Sequence, residues 1–421
     1  MNTAPANPTP THSMTVNGTA KNGTAMIDKP LDGVRVVDFG QFIAAPAATQ
    51  ILVDLGADVV KVEPVHGESA RGIGPHGEAM VQNYNRGKRD IAIDLKDPRG
   101  QEIARRLIAD SDIVVQNLRP GVMDSMGLGA EAMRAAHPHL VYATVSGFGL
   151  HGPSRNRPGL DIAAQAESGL MWVTGEKDRE PQKIGAQIVD AATGYVCAQA
   201  ILAAYIRRLR SGEGDTVEVS LLEVALHLQT PNWGAYLTTG VEPTRMGNGQ
   251  PTVAPAADIM PTSDGSVVVS AYSEVHFRRL CRLLGKPELA DDPRFADNPS
   301  RVANRPALLA ELHAVFATMT SDEAMDMLTT NGVVAGRINT YPEALRSPDT
   351  EASGLFIEVS RPDGESATAL GAPWHLESVP KLSTAGAPDL GQHTTELLGE
   401  LGYPNDAIDT LAADGVVAVG H

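Results

Sequence analysis

Aromatic side chains are scarce in this 421-residue chain: they make up 4% of it, against 42% hydrophobic residues in all. The core must therefore be built from Ala, Val, Leu and Ile, the usage of α/β enzymes with close helix–sheet packing. Positive charge is short as well. With 34 Lys and Arg against 51 Asp and Glu the formal charge is −17, which opposes a hold on nucleic acid or on an acidic membrane surface, since both need a basic face. Cysteine is nearly absent. Cys197 and Cys281 stand far apart with no metal-type spacing, so a reducing, cytoplasmic setting and no metal centre are expected. No apolar run reaches the roughly 20 residues that span a bilayer. The most apolar one, Tyr195 to Ile206, contains Gln199, stops at Arg207 and Arg208, and reads as a buried helix. Residues 1–29, rich in Thr, Asn, Pro and Ala, have neither the apolar run nor the arginines of a leader and read as a disordered tail.

What is present is an alternation of strands and helices. Val34–Asp38 is a β-branched run followed by an apolar helical pattern from Ala45 to Leu55 and a second run, Asp58–Val62. The pattern repeats with Ile91–Leu95, a helix opened by Asp97 and Pro98, and the run Asp112–Val115, and then adds Leu140–Val145. Strands alternating with helices predict a largely parallel sheet covered on both faces, a Rossmann-like α/β layer structure. After about Thr230 the texture turns to Gly, Pro, Asn and Thr. Residues 30–230 are read as the first part of a large domain, 231–332 as a smaller inserted domain, and 333–421 as the return to the large domain with a C-terminal tail.

Gly72, Gly74 and Gly77 spell the dinucleotide pattern Gly-x-Gly-x-x-Gly, but about nine loop residues separate it from the preceding strand and Pro75 lies inside it, which argues against nicotinamide or flavin binding. Walker A, His-Glu-x-x-His and Cys-x-x-Cys motifs are absent, and no Gly-x-Ser-x-Gly elbow follows a strand. Arg86, Lys88 and Arg89, with Arg71 upstream, form a basic cluster in an acidic chain; they are either a solvated surface patch or a local site for phosphates. Asp161 and Asp190 sit beside small residues, where helix capping is the ordinary duty of an Asp. Asp178 lies in the polar loop Thr174–Pro181, where a carboxylate could project into a cleft without a structural duty.

A set of short motifs in one order resembles the family III CoA-transferases, the group that includes formyl-CoA transferase, carnitine CoA-transferase and the α-methylacyl-CoA racemases. They are Leu31–Asp38, Leu55–Pro64, Asn85–Arg89 with Asp94 and Leu95, Asn117–Met123, Ser146–Gly149, Asp161–Met171, the Thr174–Gly175 loop, Asp190, Gly247–Asn248 and Asp291–Phe295. The resemblance spans Pro30 to about Leu401 and implies a large domain made of both chain ends, a small domain between them, and two subunits threaded as interlocked rings.

It further implies Asp178 as nucleophile and a coenzyme A site at Ile43, Ala44, Asn85, Lys88, Asn117, Leu118, Arg119, Ser146 and Gly149. A substrate loop at Gly247, Gly249 and Gln250 follows from it too, shorter than the loop of formyl-CoA transferase. No permanently bound cofactor is expected; an acyl-CoA, with succinyl-CoA the leading guess, and a free carboxylic acid are the substrates. In the expected chemistry an aspartyl anhydride and an aspartyl-CoA thioester form in turn, each close to the thioester in energy, so no ATP is needed. Backbone N–H groups of Gly147, Gly149 and Gly247–Gly249 are candidate oxyanion donors. Arg179, Arg245 and Arg337 are candidates for a second carboxylate. A racemase using Asp190 as one base is the alternative within the superfamily. It needs a second acid/base, and where the racemases place a His this chain has Leu160. A non-catalytic acyl-CoA-binding protein is the alternative of another class.

Overall fold

Short β-branched runs do become strands, and their order in the sheet fixes where a ligand can sit. A computed structural model describes residues 29–250, 253–377 and 383–420; the proposed tail lies outside them apart from Lys29. The strands are β1 (Arg35–Phe39), β2 (Asp58–Glu63), β3 (Arg89–Ile93), β4 (Ile113–Gln116), β5 (Val141–Ser146), β6 (Thr216–Ser220), β7 (Asp258–Pro261), β8 (Ser266–Ser270), β9 (Val334–Arg337), β10 (Phe356–Ser360), β11 (Ser366–Leu370) and β12 (Val417–Ala418). Seven form one sheet in the order β12-β3-β2-β1-β4-β5-β6. All its pairings are parallel except that of β12 with β3. Strand order reverses between β1 and β4, so the loops after these two strands part at the sheet's carboxyl edge, the place where open α/β sheets take their ligands.

Apolar residues cover both faces of this sheet, as its buried parallel strands require. One face carries helix α1 (Ala44–Asp54) and the 24-residue helix Ile188–Ser211. These two approach very closely: a Cβ on Gly194 would lie 2.6 Å from the Ala47 Cβ. The long helix is twice the length of the apolar run that announced it, and is long and apolar enough to cross a membrane by length and composition. Here it packs one face, including Val189, Cys197 and Ile201, into the core, while Tyr195, Ile206 and Leu209 stay exposed.

The smaller domain has its own core and a three-stranded sheet in the order β7-β8-β9. Its last strand corrects the expected boundary at residue 333. Val334–Arg337 pairs antiparallel with β8, so the chain leaves the small domain only after β9. A hairpin, β10–β11, intervenes before the chain returns to the large sheet at β12. The Gly72–Gly77 pattern links a 3-10 turn (Ser69–Gly72) to helix α2 (Pro75–Tyr84), not a strand to a helix.

Candidate active site

The switch point is built from two loops locked together. Asn117, after β4, accepts a hydrogen bond from Gln41 N (2.8 Å) and donates one to Gln41 O (2.9 Å). Its amide thus joins the two loops. Leu118 N donates to Gln116 Oε1 (2.8 Å), and Gln116 in turn donates to Thr144. Ile43 and Ala44 are buried at the start of α1.

Beneath this crest lies an ionic network, and it overturns the expected role of the basic cluster. Lys88 is fully buried; its ammonium donates to Asp38 (2.8 Å), Thr49 (2.8 Å), Asn85 (2.8 Å) and Pro46 O (3.2 Å). Asn85 is buried with it. Neither can meet a CoA phosphate, and the solvated-patch reading fails with the phosphate reading. Arg86 is buried against Asp54, Arg89 pairs with Asp58, Glu396 and Glu400, and Arg71 pairs with Glu63. Burial alone would raise the Asp38 carboxyl, but Lys88 and Lys61 outweigh it and hold the group at about 2. Lys88 is drawn down to about 8, because burial and the Lys61 ammonium outweigh its attraction to Asp38.

The three aspartates stand in different surroundings. Asp178 is exposed on its loop, and its carboxylate takes part in no hydrogen bond or ion pair among the described residues. Asp161 is buried and caps a helix other than its own: it accepts from Val189 N (2.8 Å) and Asp190 N (3.1 Å) at the start of the long helix, and from Gln165 Nε2 (2.5 Å). Asp190 therefore stands in the first turn of that helix with its backbone held and its carboxylate accepting nothing from the described residues. Burial, and then the Asp161 charge, push its carboxyl up to about 7. Burial, and then the charges of Tyr195 and Asp190, also raise the Tyr84 phenol. A cavity of about 300 Å³ runs past the site, lined among others by Ile43, Met80, Tyr84, Gln187, Ala191 and Tyr195.

Other expected residues are placed as follows. Ser146 Oγ accepts from Gly149 N (3.1 Å), and Gly247 N donates to Gly175 O (3.0 Å), so these two N–H groups are not free oxyanion donors. The Gly247 contact does bring the substrate loop onto the Asp178 loop, and Trp172 Nε1 bonding Pro243 O (3.1 Å) strengthens that junction. A Cβ on Gly249 would displace the Arg305 guanidinium, and Gln250 is exposed. Arg119 is exposed and shares a second cavity, about 330 Å³ at the ends of β4 to β6, with Arg155. Neither guanidinium is ion-paired among the described residues. Arg155 was missed in the sequence. Asp190 was read there only as a capping residue or as the base of the racemase alternative, since its one further signal, the proximity of a second Asp, is 29 residues away in the chain.

Residues 31–394 match the profile of CoA-transferase family III, and the chain belongs to that family. It is an enzyme that transfers coenzyme A. The chain is 37% identical over 387 residues to the succinate–glutarate CoA-transferase of Agrobacterium fabrum, covering 88% of this chain and 96% of that one. It is 38% identical over 402 residues to the succinyl-CoA–D-citramalate CoA-transferase of Chloroflexus aurantiacus, covering 92% and 98%. The crystal structure of a CaiB/BaiF family protein from Brucella suis superposes with a TM-score of 0.81 at 37% identity, covering 89% of this chain and 100% of the other.

Proposed function

We propose that this enzyme moves coenzyme A between dicarboxylic acids and that Asp190, rather than Asp178, is the nucleophile. The dicarboxylate class rests on the two relatives, whose names give succinate, glutarate and citramalate as their acids. The nucleophile rests on one observation: Asp161 spends its carboxylate on the helix start and leaves the Asp190 carboxylate unclaimed, one residue before Ala191, which lines a cavity. Asp190 attacks the thioester carbonyl and CoA thiolate leaves, giving a mixed anhydride. The thiolate then attacks the Asp190 carbonyl and releases the donor acid, giving the aspartyl-CoA thioester. The acceptor carboxylate runs the two steps in reverse and restores Asp190. The positive end of the long helix favours the negative charge that builds at Asp190. The phosphate end of CoA is assigned to Arg119 and Arg155, in place of Lys88.

Hydroxylamine trapping tests the nucleophile. Enzyme incubated with succinyl-CoA should carry the hydroxamate at Asp190 by mass spectrometry, and Asp178→Asn should keep near wild-type turnover; a label on Asp178 reverses the assignment. The proximity of Asp161 gives a second expectation. Asp161→Asn removes the like charge, so the acid limb of kcat/KM, which reports Asp190 ionisation, should move to lower pH. A profile between pH 5 and 9 that does not move would detach the two residues.

The racemase alternative would use the same Asp190 as a base, but Leu160 supplies no second acid and is itself exposed. Deuterium entry at Cα of a 2-methylacyl-CoA without an acceptor acid would favour it. We assign the working unit to a homodimer of interlocked subunits, because Tyr195, Ile206 and Leu209 of the long helix and Leu237 of helix Thr230–Thr239 present large apolar groups to solvent in the single chain. Light scattering that finds a monomer at micromolar concentration would remove the dimer from this reading.

A further inference from the structure

Among the described residues, one non-glycine has a positive φ: Phe42, at 63°, in the turn between β1 and α1. An aromatic L-residue does not hold that conformation unaided, and such backbone persists only where the surroundings over-determine it. Here they do so atom by atom. Gly40 N donates to Asp38 Oδ1 (2.7 Å) and Gly40 O accepts from the Lys61 ammonium. Both polar groups of Gln41 are taken by Asn117. Phe42 N donates to Glu68 Oε2 (2.7 Å). Glu68 and Lys61 are both buried and form an ion pair (3.2 Å), and Glu68 N is itself fixed by Glu63 (2.8 Å). Lys88 completes the frame by tying Asp38 to Thr49 of α1.

We propose that Glu68 is a positioning residue for CoA transfer, holding Phe42 in its left-handed conformation so that Ile43 takes its place in the wall of the cavity at the start of the long helix. The inference rests on the assignment of Asp190 as nucleophile. Ile43 lines that cavity together with Gln187, the N-cap of the long helix, and Ala191, the residue after Asp190, so a shift of the turn changes the space next to the start of that helix. A turn with no geometric duty would be made more simply with glycine at position 42, which reaches positive φ freely. This one instead keeps a phenylalanine, packed against Ala70, Val81 and Ala387, and restrains its backbone with a buried ion pair.

The test is a rescue cycle. In Glu68→Gln the amide cannot serve both neighbours: turning its oxygen to Phe42 N points its NH2 at the Lys61 ammonium, and the reverse loses the Phe42 bond. We expect kcat to fall on the order of tenfold to a hundredfold, with KM for succinyl-CoA changed by less than about threefold. Adding Phe42→Gly, which needs no restraint, should recover most of the lost kcat. An unchanged kcat in Glu68→Gln, or a loss that Phe42→Gly does not recover, overturns the proposal and leaves Glu68 a contributor to stability alone. Should Glu68→Gln fail to fold, Phe42→Gly and Phe42→Val in the wild-type background decide the matter. Both lose the ring, but a β-branched residue resists positive φ, so Val should be about tenfold slower than Gly at similar melting temperature; equal rates overturn the proposal. Hydroxylamine labelling of the wild type is read in parallel. A label at a residue other than Asp190 removes the nucleophile assignment, whereas failure of the cycle with Asp190 labelled removes only the role of Glu68.

Discussion

Asp190→Asn should lose CoA transfer by a factor of at least about a thousand and yet melt at a higher temperature than the wild type at pH 8. The amide is nearly isosteric and cannot attack, which accounts for the first effect. The second follows from the raised carboxyl, at about 7 in the folded protein against about 3.9 for an ordinary Asp. The folded protein holds this proton more tightly than the unfolded chain, so the contribution is stabilising at low pH and is lost as pH rises through about 7. Above that pH the wild type carries a partly buried charge next to Asp161 that the variant lacks. A shift of this size corresponds to at most about 4 kcal/mol, and with the carboxylate partly open to water we expect about 1–3 kcal/mol. Melting curves at pH 4 and pH 8 check this: the two proteins should converge at pH 4. A variant keeping more than a thousandth of the rate would place the nucleophile elsewhere, and no gain at pH 8 would remove the raised carboxyl.

Lys88→Ala should act on the fold and not on the affinity for CoA. A lysine read as a phosphate ligand would raise KM on removal, leave kcat alone and lower the salt dependence of binding. The buried Lys88 does none of this in the structure. Its loss would leave Asp38 short of its closest counter-charge, with Thr49 and Asn85 each missing a donor. Breaking a buried pair from one side costs about 3–5 kcal/mol. The expected result is a lower midpoint in urea or little soluble protein, and in whatever folds, an unchanged salt slope for acyl-CoA binding. A well-folded variant with a raised KM alone would return Lys88 to the ligand.

The same residue shows where sequence reasoning stopped. Strands β1 to β5 were legible because Val and Ile runs bounded by Gly and Asp have few other uses, and the observed strands lie within a residue or two of the expected ones. The strand β6, Thr-Val-Glu-Val-Ser, alternates as a strand should and follows a Gly212 and Gly214 break after the long helix, yet it was passed over. The segment from Val333 was assigned to the large domain, whereas its strand pairs with β8, over sixty residues away, and periodicity carries no address. The basic cluster failed for the same reason. Neighbours in sequence, Arg86, Lys88 and Arg89 turn to separate carboxylates at Asp54, Asp38 and Asp58. Capping was the right role for Asp161, though for a helix 27 residues downstream, and that displaced cap is what frees Asp190.

The pairing of β12 with β3 sets a clock on synthesis. Ile93 leaves the ribosome roughly 300 residues before its partner Val417. At about 5–20 residues per second the outer edge of β3 waits on the order of 15–60 seconds with its hydrogen-bonding groups open, while the rest of the sheet can already form. An open strand edge is a template for foreign strands. The nascent chain is therefore most exposed to misassociation after the core is built and before its last few residues arrive, and a ribosome that stalls in the small domain would release a chain whose sheet is complete on one side only.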